Sequence, residues 1–217
     1  MNILIAYASP HGSTAEVATF IGRVLNAYEV TVTVRHVDSV ASIEGYDAFI
    51  LGSAIHSSMW LPSLSRFMFR FEETLAEKST FLFLTCLITL EEGGAERAAR
   101  EFIWQEAIDK LQIPNDNIKA FAGKINWAII SGDEHWIIKG TYKGQKITEI
   151  TTGDYRNWQA IAKWSHDVAD ALQLSVRVSD EAAPQIDVVQ KIKYETITKE
   201  GVAQLAWAEN PGEVGAI

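Results

Sequence analysis

The run Asn2-Ile3-Leu4-Ile5-Ala6-Tyr7 carries no charge and no alternation of polar and apolar positions. A strand with one wet face would alternate. This run therefore predicts a strand covered on both faces, as inside a parallel sheet. The next residues, Ala8 to Thr14, read Ala-Ser-Pro-His-Gly-Ser-Thr. Apolar Val17, Phe20, Ile21, Val24 and Leu25 then recur at helical spacing. Ser13 and Glu16 have the spacing of a capping box at the start of that helix.

The rhythm repeats along the chain. Val30 to Val37 predicts a second strand and Asp47 to Leu51 a third, ending at Gly52. The link between them is long enough for a loop or a single turn. Ser53 to Trp60 reads as a loop, and a helix is expected over Pro62 to Glu77, with Pro62 suited to its first turn. Phe81 to Cys86 predicts a fourth strand, Ala95 to Leu111 a helix, and Asn117 to Phe121 a fifth strand. The last helix is expected from Asp154 to Leu172, with Asp154 as its N-cap. Alternating strands and helices imply an α/β protein with a parallel sheet covered on both faces. Five strands fit a doubly wound sheet of order 2-1-3-4-5, whose ligand site lies beyond the carboxyl ends of the strands. Two segments fall outside the rhythm. One is a glycine- and tryptophan-containing insertion at about 123–153, before the last helix. The other is an acidic C-terminal extension, 174–217, with a strand expected near Gln190 to Thr198. The expected organisation is thus a domain over 1–173 followed by that extension.

Composition narrows the classes. The 217 residues carry 19 Lys+Arg against 28 Asp+Glu, a formal net charge of -9. That argues against nucleic-acid binding, which needs a basic face. A single cysteine, Cys86, excludes an internal disulfide and a thiolate metal cage, and points to a reducing cytoplasm. No apolar run reaches the roughly 18 residues that suggest a membrane span. No metal-ligand spacing and no Gly-x-Ser-x-Gly elbow occur.

The chemistry concentrates in Ser9-Pro10-His11-Gly12-Ser13-Thr14. Hydroxyls and a glycine between a buried strand and a helix N-terminus make a nest of backbone N–H groups for an anion. No Lys or Arg lies in the loop, so it is not a Walker A loop, and the dinucleotide fingerprint is missing. A monophosphate fits best.

The stretch Ala6 to Thr14, with Val17-Ala18 after it, resembles the flavodoxin signature that binds the phosphate of FMN. Gly52 to Trp60, Ala122-Gly123-Lys124, and Thr152-Gly153-Asp154 leading to Trp158 resemble the menaquinone-dependent protoporphyrinogen IX dehydrogenase branch of the flavodoxin-like proteins. The resemblance covers residues 1 to 173 and implies FMN as cofactor. It implies that Ser9, Pro10, His11, Gly12, Ser13 and Thr14 surround the phosphate. Ser53, Ala54, Ile55, His56, Ser57, Ser58 and Trp60 would flank one side of the flavin ring. Thr85, Cys86, Leu87, Ile88 and Thr89 would flank the other. His11 stands where the common flavodoxin loop has Thr, and Pro10 removes one N–H from the nest. His56 is a candidate proton donor beside the flavin, or a loop histidine satisfied by hydrogen bonds. Cys86 reads as a small buried hydrophobe rather than a redox thiol.

Three functions follow. The first is an FMN-dependent oxidoreductase that passes electrons from a reduced organic substrate to a quinone or another acceptor. The second is a flavodoxin-type electron carrier between protein partners, steered by its acidic surface. The third is an FMN-binding sensor or assembly module. The expected partners are accordingly a small-molecule electron donor or quinone acceptor, or a redox protein; a homodimer is also allowed.

Overall fold

The structure is a computed structural model. It describes residues 1–130, 132 and 151–177, together with the backbone of three strands further on. The trunk is a parallel sheet. β1 (Asn2–Ala8) lies between β2 (Thr31–His36) and β3 (Ala48–His56). β5 (Ser79–Thr85) follows β3, and β6 (Ile118–Phe121) forms the far edge. The expected five-stranded order is therefore met, with β5 and β6 as the fourth and fifth parallel strands. Tyr7 pairs with His36 on one side and with Gly52 on the other, so β1 is hydrogen-bonded along both edges.

Side-chain alternation divides the sheet into two cores. Leu4, Ala6, Phe49, Leu51, Leu82 and Leu84 face one way. They meet α2 (Pro62–Arg70), α3 (Glu72–Glu77), α4 (Gly94–Glu101) and α5 (Gln105–Lys110). Ile3, Ile5, Tyr7, Ile50, Phe81 and Phe83 face the other way, towards α1 (Ser13–Leu25) and α6 (Trp158–Ala171). Trp164 of α6 packs edge-on against Phe83 and Phe121, with ring centroids 6.1 and 5.7 Å away. Both faces are thus covered, as the unbroken apolar strands required.

The third strand does not stop at Gly52. It runs on to His56, turns through Ser57 and Ser58, and returns as the short antiparallel β4 (Met59–Trp60). Both turn residues have positive φ, 50° and 61°, the geometry of a tight two-residue hairpin. The expected loop is therefore a hairpin. Two expected helices are each interrupted. At Phe71 the backbone leaves the helix and the ring packs against Phe67, so one helix becomes α2 and α3. Phe102 to Trp104 separate α4 from α5, with Phe102 and Ile103 turned towards the core. The last helix starts later than expected. Its N-cap is Asn157, whose side chain accepts from the Ala160 N–H, and not Asp154.

The insertion is closed at its base by β7 (Lys124–Ile125) and β8 (Gly153–Asp154), paired antiparallel. The remainder of the insertion, 133–150, lies outside the described residues. Beyond α6, the chain is tied to the end of α1 by Glu29 N–H to the Ser175 carbonyl and Arg177 N–H to the Ala27 carbonyl. β9 (Asp187–Val189) adds a parallel strand beside β2, and β10 (Ile192–Ile197) pairs antiparallel with β11 (Ala203–Ala208). The expected strand near Gln190 to Thr198 thus corresponds to β10, and β9 precedes it.

Gly52 shows how closely the layers meet. A Cβ at this position would be driven into the buried Phe83 ring. Gly52→Ala should therefore cost about 1–3 kcal/mol of stability, read as a lower urea midpoint with an unchanged slope.

Candidate functional site

The carboxyl ends of β1, β3 and β5 bring the three predicted loops to one edge of the sheet. Ser9 leaves β1 with its side chain buried. Gly12 is the N-cap of α1 at φ 83°, a left-handed conformation that glycine adopts without strain. No side chain caps this helix. The expected capping box is not formed: the Glu16 N–H bonds the Gly12 carbonyl, while its carboxylate is drawn to Arg156 instead. The N-cap glycine offers the N–H groups of the first turn no side-chain acceptor, which suits an anion.

The hydroxyl of Thr14 is fully buried and lies 2.7 Å from that of Thr85, at the end of β5. This pair joins the first loop to the third. Ser53, also fully buried, donates to the Ala54 carbonyl and accepts from the Leu61 N–H at 2.9 Å. It fastens the arms of the β3–β4 hairpin. Ala54 is buried, Ile55 and His56 are half-buried, and Ser57 and Ser58 are exposed at the tip. The His56 ring stacks on that of His11, with centroids 6.0 Å apart and planes 23° apart. The first and second loops therefore touch through two imidazoles.

Other predicted residues face inward. Trp60 is buried in the core, and its indole N–H donates to Ser65 at 2.7 Å. It presents no open ring face. Cys86 and Ile88 are buried too, Leu87 is half-buried, and the Thr89 hydroxyl donates to the Cys86 carbonyl. The third loop can thus offer its backbone, with Leu87 and Thr89, rather than a thiol. Burial pushes the Cys86 thiol up to about 12, although hydrogen bonds from Thr89 and Ile88 pull the other way. At neutral pH it is not a thiolate.

Several residues escaped the sequence reading. Tyr7 is buried with no hydrogen-bond partner for its hydroxyl among the described residues, edge-on to His36 at 5.5 Å. Arg156 is the larger omission. Its guanidinium bonds both carboxylate oxygens of Asp154, at 2.7 and 2.6 Å, and the Ser13 carbonyl at 3.3 Å. It also pairs with Glu16 at 2.6 Å and lies 4.4 Å over the Trp158 ring. Burial alone would lower its pKa; the hydrogen bonds to Asp154 and Glu16 outweigh that and hold it above the ordinary value. Hydrogen bonding to Arg156 holds the Asp154 carboxyl below its usual range, against burial. Lys124 stands 3.9 Å from Glu16. The Asp154 expected to cap α6 is thus a partner of this cluster. Its signal was an Asp-x-Arg pair, masked by the helix pattern beside it.

The edge fits a phosphate-bearing group. Ser9 Oγ is buried with no hydrogen-bond partner among the described residues, beside a helix start with no side-chain cap and a glycine that leaves room. An orphaned buried hydroxyl is costly unless a ligand satisfies it. No cluster of potential metal ligands occurs among the described residues. None of their helices is long and apolar enough to cross a membrane.

Tyr7 yields a pH test. Burial pushes its phenol up to about 12 from 10.0, against the attraction of Arg35. A group raised in this way leaves stability intact below its unfolded value and drains it as pH rises through the folded one. Tyr7→Phe should therefore lessen the stability loss between pH 10 and 12 by roughly 2 kcal/mol. At pH 7 the melting temperature should hold or rise, because an unsatisfied hydroxyl is removed. Thermal melts across that range check both.

Comparison with known proteins agrees with this architecture. The flavodoxin domain family matches residues 4–148, more than half of the chain. Flavodoxin 2 from Bacillus cereus superposes with a TM-score of 0.51 at 19% identity, over 79% of this chain and 99% of that one. The rubredoxin oxygen:oxidoreductase of Desulfovibrio gigas gives 0.50 at 13% identity, over 79% of this chain and 36% of that one. This chain therefore spans about a third of the oxidoreductase. At such identities the superpositions show a shared fold. No match was found among curated proteins. The family match, the strand order and the anion-ready loop together make this chain a member of the flavodoxin domain family, with FMN as its cofactor.

Proposed function

We propose that this chain is an FMN-dependent oxidoreductase of the protoporphyrinogen dehydrogenase type. It would take electrons from a reduced organic substrate and pass them to a quinone or a similar acceptor. The observation that carries this reading is the root of the insertion. Its ends pair as β7 and β8, and Arg156 fastens them to the first turn of α1 beside the phosphate loop. The two strands that root the insertion therefore lie beside the loop expected to hold the phosphate, where an enzyme needs walls for a substrate. A carrier that docks its partners on an open flavin edge has no need of them.

In this reading Ser9, His11, Gly12, Ser13 and Thr14 hold the phosphate. The hairpin from Ser53 to Ser58 borders one side of the ring, and Thr85 to Thr89 the other. Bound FMN supplies the electron acceptor. The protein places the ring, keeps water from it and moves the proton. His56, half-buried at the hairpin and stacked on His11, is the candidate to hold that proton on an imidazole nitrogen. The work would be done in the cytoplasm. A carrier remains the second reading, favoured by the net charge of -9, which would steer basic partners.

The test is anaerobic. FMN-loaded protein is mixed with a reduced porphyrinogen and the visible flavin absorption followed, then a quinone is added. Bleaching by the donor and recovery with the quinone are expected. A protein that ignores both, yet exchanges electrons with a flavodoxin reductase, is a carrier. The phosphate assignment has its own check. Ser9→Ala should weaken FMN binding by about tenfold or more, the usual scale for a hydrogen bond to a charged group, and leave riboflavin binding nearly unchanged.

A further inference from the structure

The first turn of α1 carries a charge that opposes its ligand. Glu16 lies in that turn, and the turn faces the loop expected to hold a phosphate dianion. A carboxylate near a helix N-terminus stabilises the empty helix, but it repels an anion bound at the same end. The loop from Ser9 to Thr14 has no Lys or Arg of its own to offset this. The compensation comes from the far side of the insertion. Arg156 reaches Glu16 at 2.6 Å and Lys124 stands 3.9 Å from it.

The arrangement is lopsided in solvation. The Arg156 side chain is only 2% exposed, while its partners Glu16 and Asp154 are 37% and 38% exposed. Burying an arginine to meet two half-open carboxylates is an expensive way to stabilise a fold. It does, however, fix the guanidinium. Asp154 grips it through two oxygens, Trp158 covers its face, and the Ser13 carbonyl accepts from its other arm. The result is a rigid cation directly behind the phosphate loop. Two acids and two bases cancel there; without Arg156 a net negative charge faces the ligand.

We infer that Arg156 is a positioning residue for the FMN phosphate: it neutralises Glu16 and holds Ser13, so that a loop without Lys or Arg can accept a dianion. This rests on the reading that the phosphate occupies the Ser9–Thr14 loop. In this role Arg156 would act without contacting the ligand. It acts through Glu16 and Ser13, so its effect is specific to the charged end of the cofactor.

The experiment compares FMN with riboflavin, which lacks the phosphate. The full-length chain, stripped of flavin, is titrated with each, and quenching of flavin fluorescence gives Kd. Arg156→Ala should weaken FMN roughly tenfold, the scale of a charge at a helix end, with riboflavin changed much less. Glu16→Gln alone should tighten FMN by about threefold, an effect that fades with added salt. The double variant should recover most of the affinity lost in Arg156→Ala. Equal losses for FMN and riboflavin, no recovery in the double variant, or weaker FMN binding in Glu16→Gln would each overturn the inference. Should Arg156→Ala fail to fold, Glu16→Gln decides the matter alone. A wild-type protein that takes FMN and riboflavin equally well would overturn the phosphate reading itself, before any variant is compared.

Discussion

β1 is hydrogen-bonded along both edges and buried on both faces, so its only free groups are at its ends. That confinement sets up the rest of the molecule. The chain must leave at Ala8, and α1 must return over the Ile3, Ile5 and Tyr7 face, which places the helix N-terminus at the strand's carboxyl end. β2 lies on one side of β1 and β3 on the other, so the crossovers depart on opposite faces and a crevice opens between them. Ser9, Gly12, Ser53 and Thr85 all sit at that edge because the sheet leaves them nowhere else. The buried Thr14–Thr85 contact then ties two of the edge loops together at a point where water is excluded.

The same confinement explains what could be read from the residues alone. A strand buried on both faces has no polar alternation to confuse with a helix, so β1, β5 and their neighbours are plain in the chain. The hydroxyl-rich loop is plain for a similar reason, since its own hydroxyls and its glycine all lie within five positions of Ser9. Breaks in the helices were hidden because apolar spacing continues across Phe71 and across Phe102 to Trp104. What ends those helices is the core that the aromatic rings turn towards, and that is a tertiary fact. The hairpin after Gly52 was hidden as well. Gly-Ser in a chain suggests a loop, yet here the missing Cβ makes room for the Phe83 ring, and the strand runs on.

The charged cluster was the hardest to see, for the opposite reason. Glu16 and Asp154 each had a plausible local job, as a capping-box acid and as an N-cap. Each local partner lost to Arg156, which lies 143 positions from Ser13 along the chain. A buried guanidinium needs several acceptors at once, and two carboxylates with a carbonyl satisfy it better than either helix end could. Local pattern cannot anticipate such a competition, because the third participant meets α1 only in the folded chain.

This bears on the acidity of the chain. A surplus of nine negative charges suits a carrier whose surface attracts basic partners over a distance. Such steering needs the charge to remain exposed near the flavin. In the first turn of α1, beside the loop that the sequence marks for a phosphate, the charge of Glu16 is met by a buried arginine just beyond the root of the insertion. Long-range attraction and local neutrality are separate demands, and the sequence meets both. The local one is tied to the insertion, the feature that a carrier does not require. The acidity therefore weighs less against an enzyme than its total suggests: the acid in the first turn of α1 is neutralised by an arginine just beyond the root of the insertion.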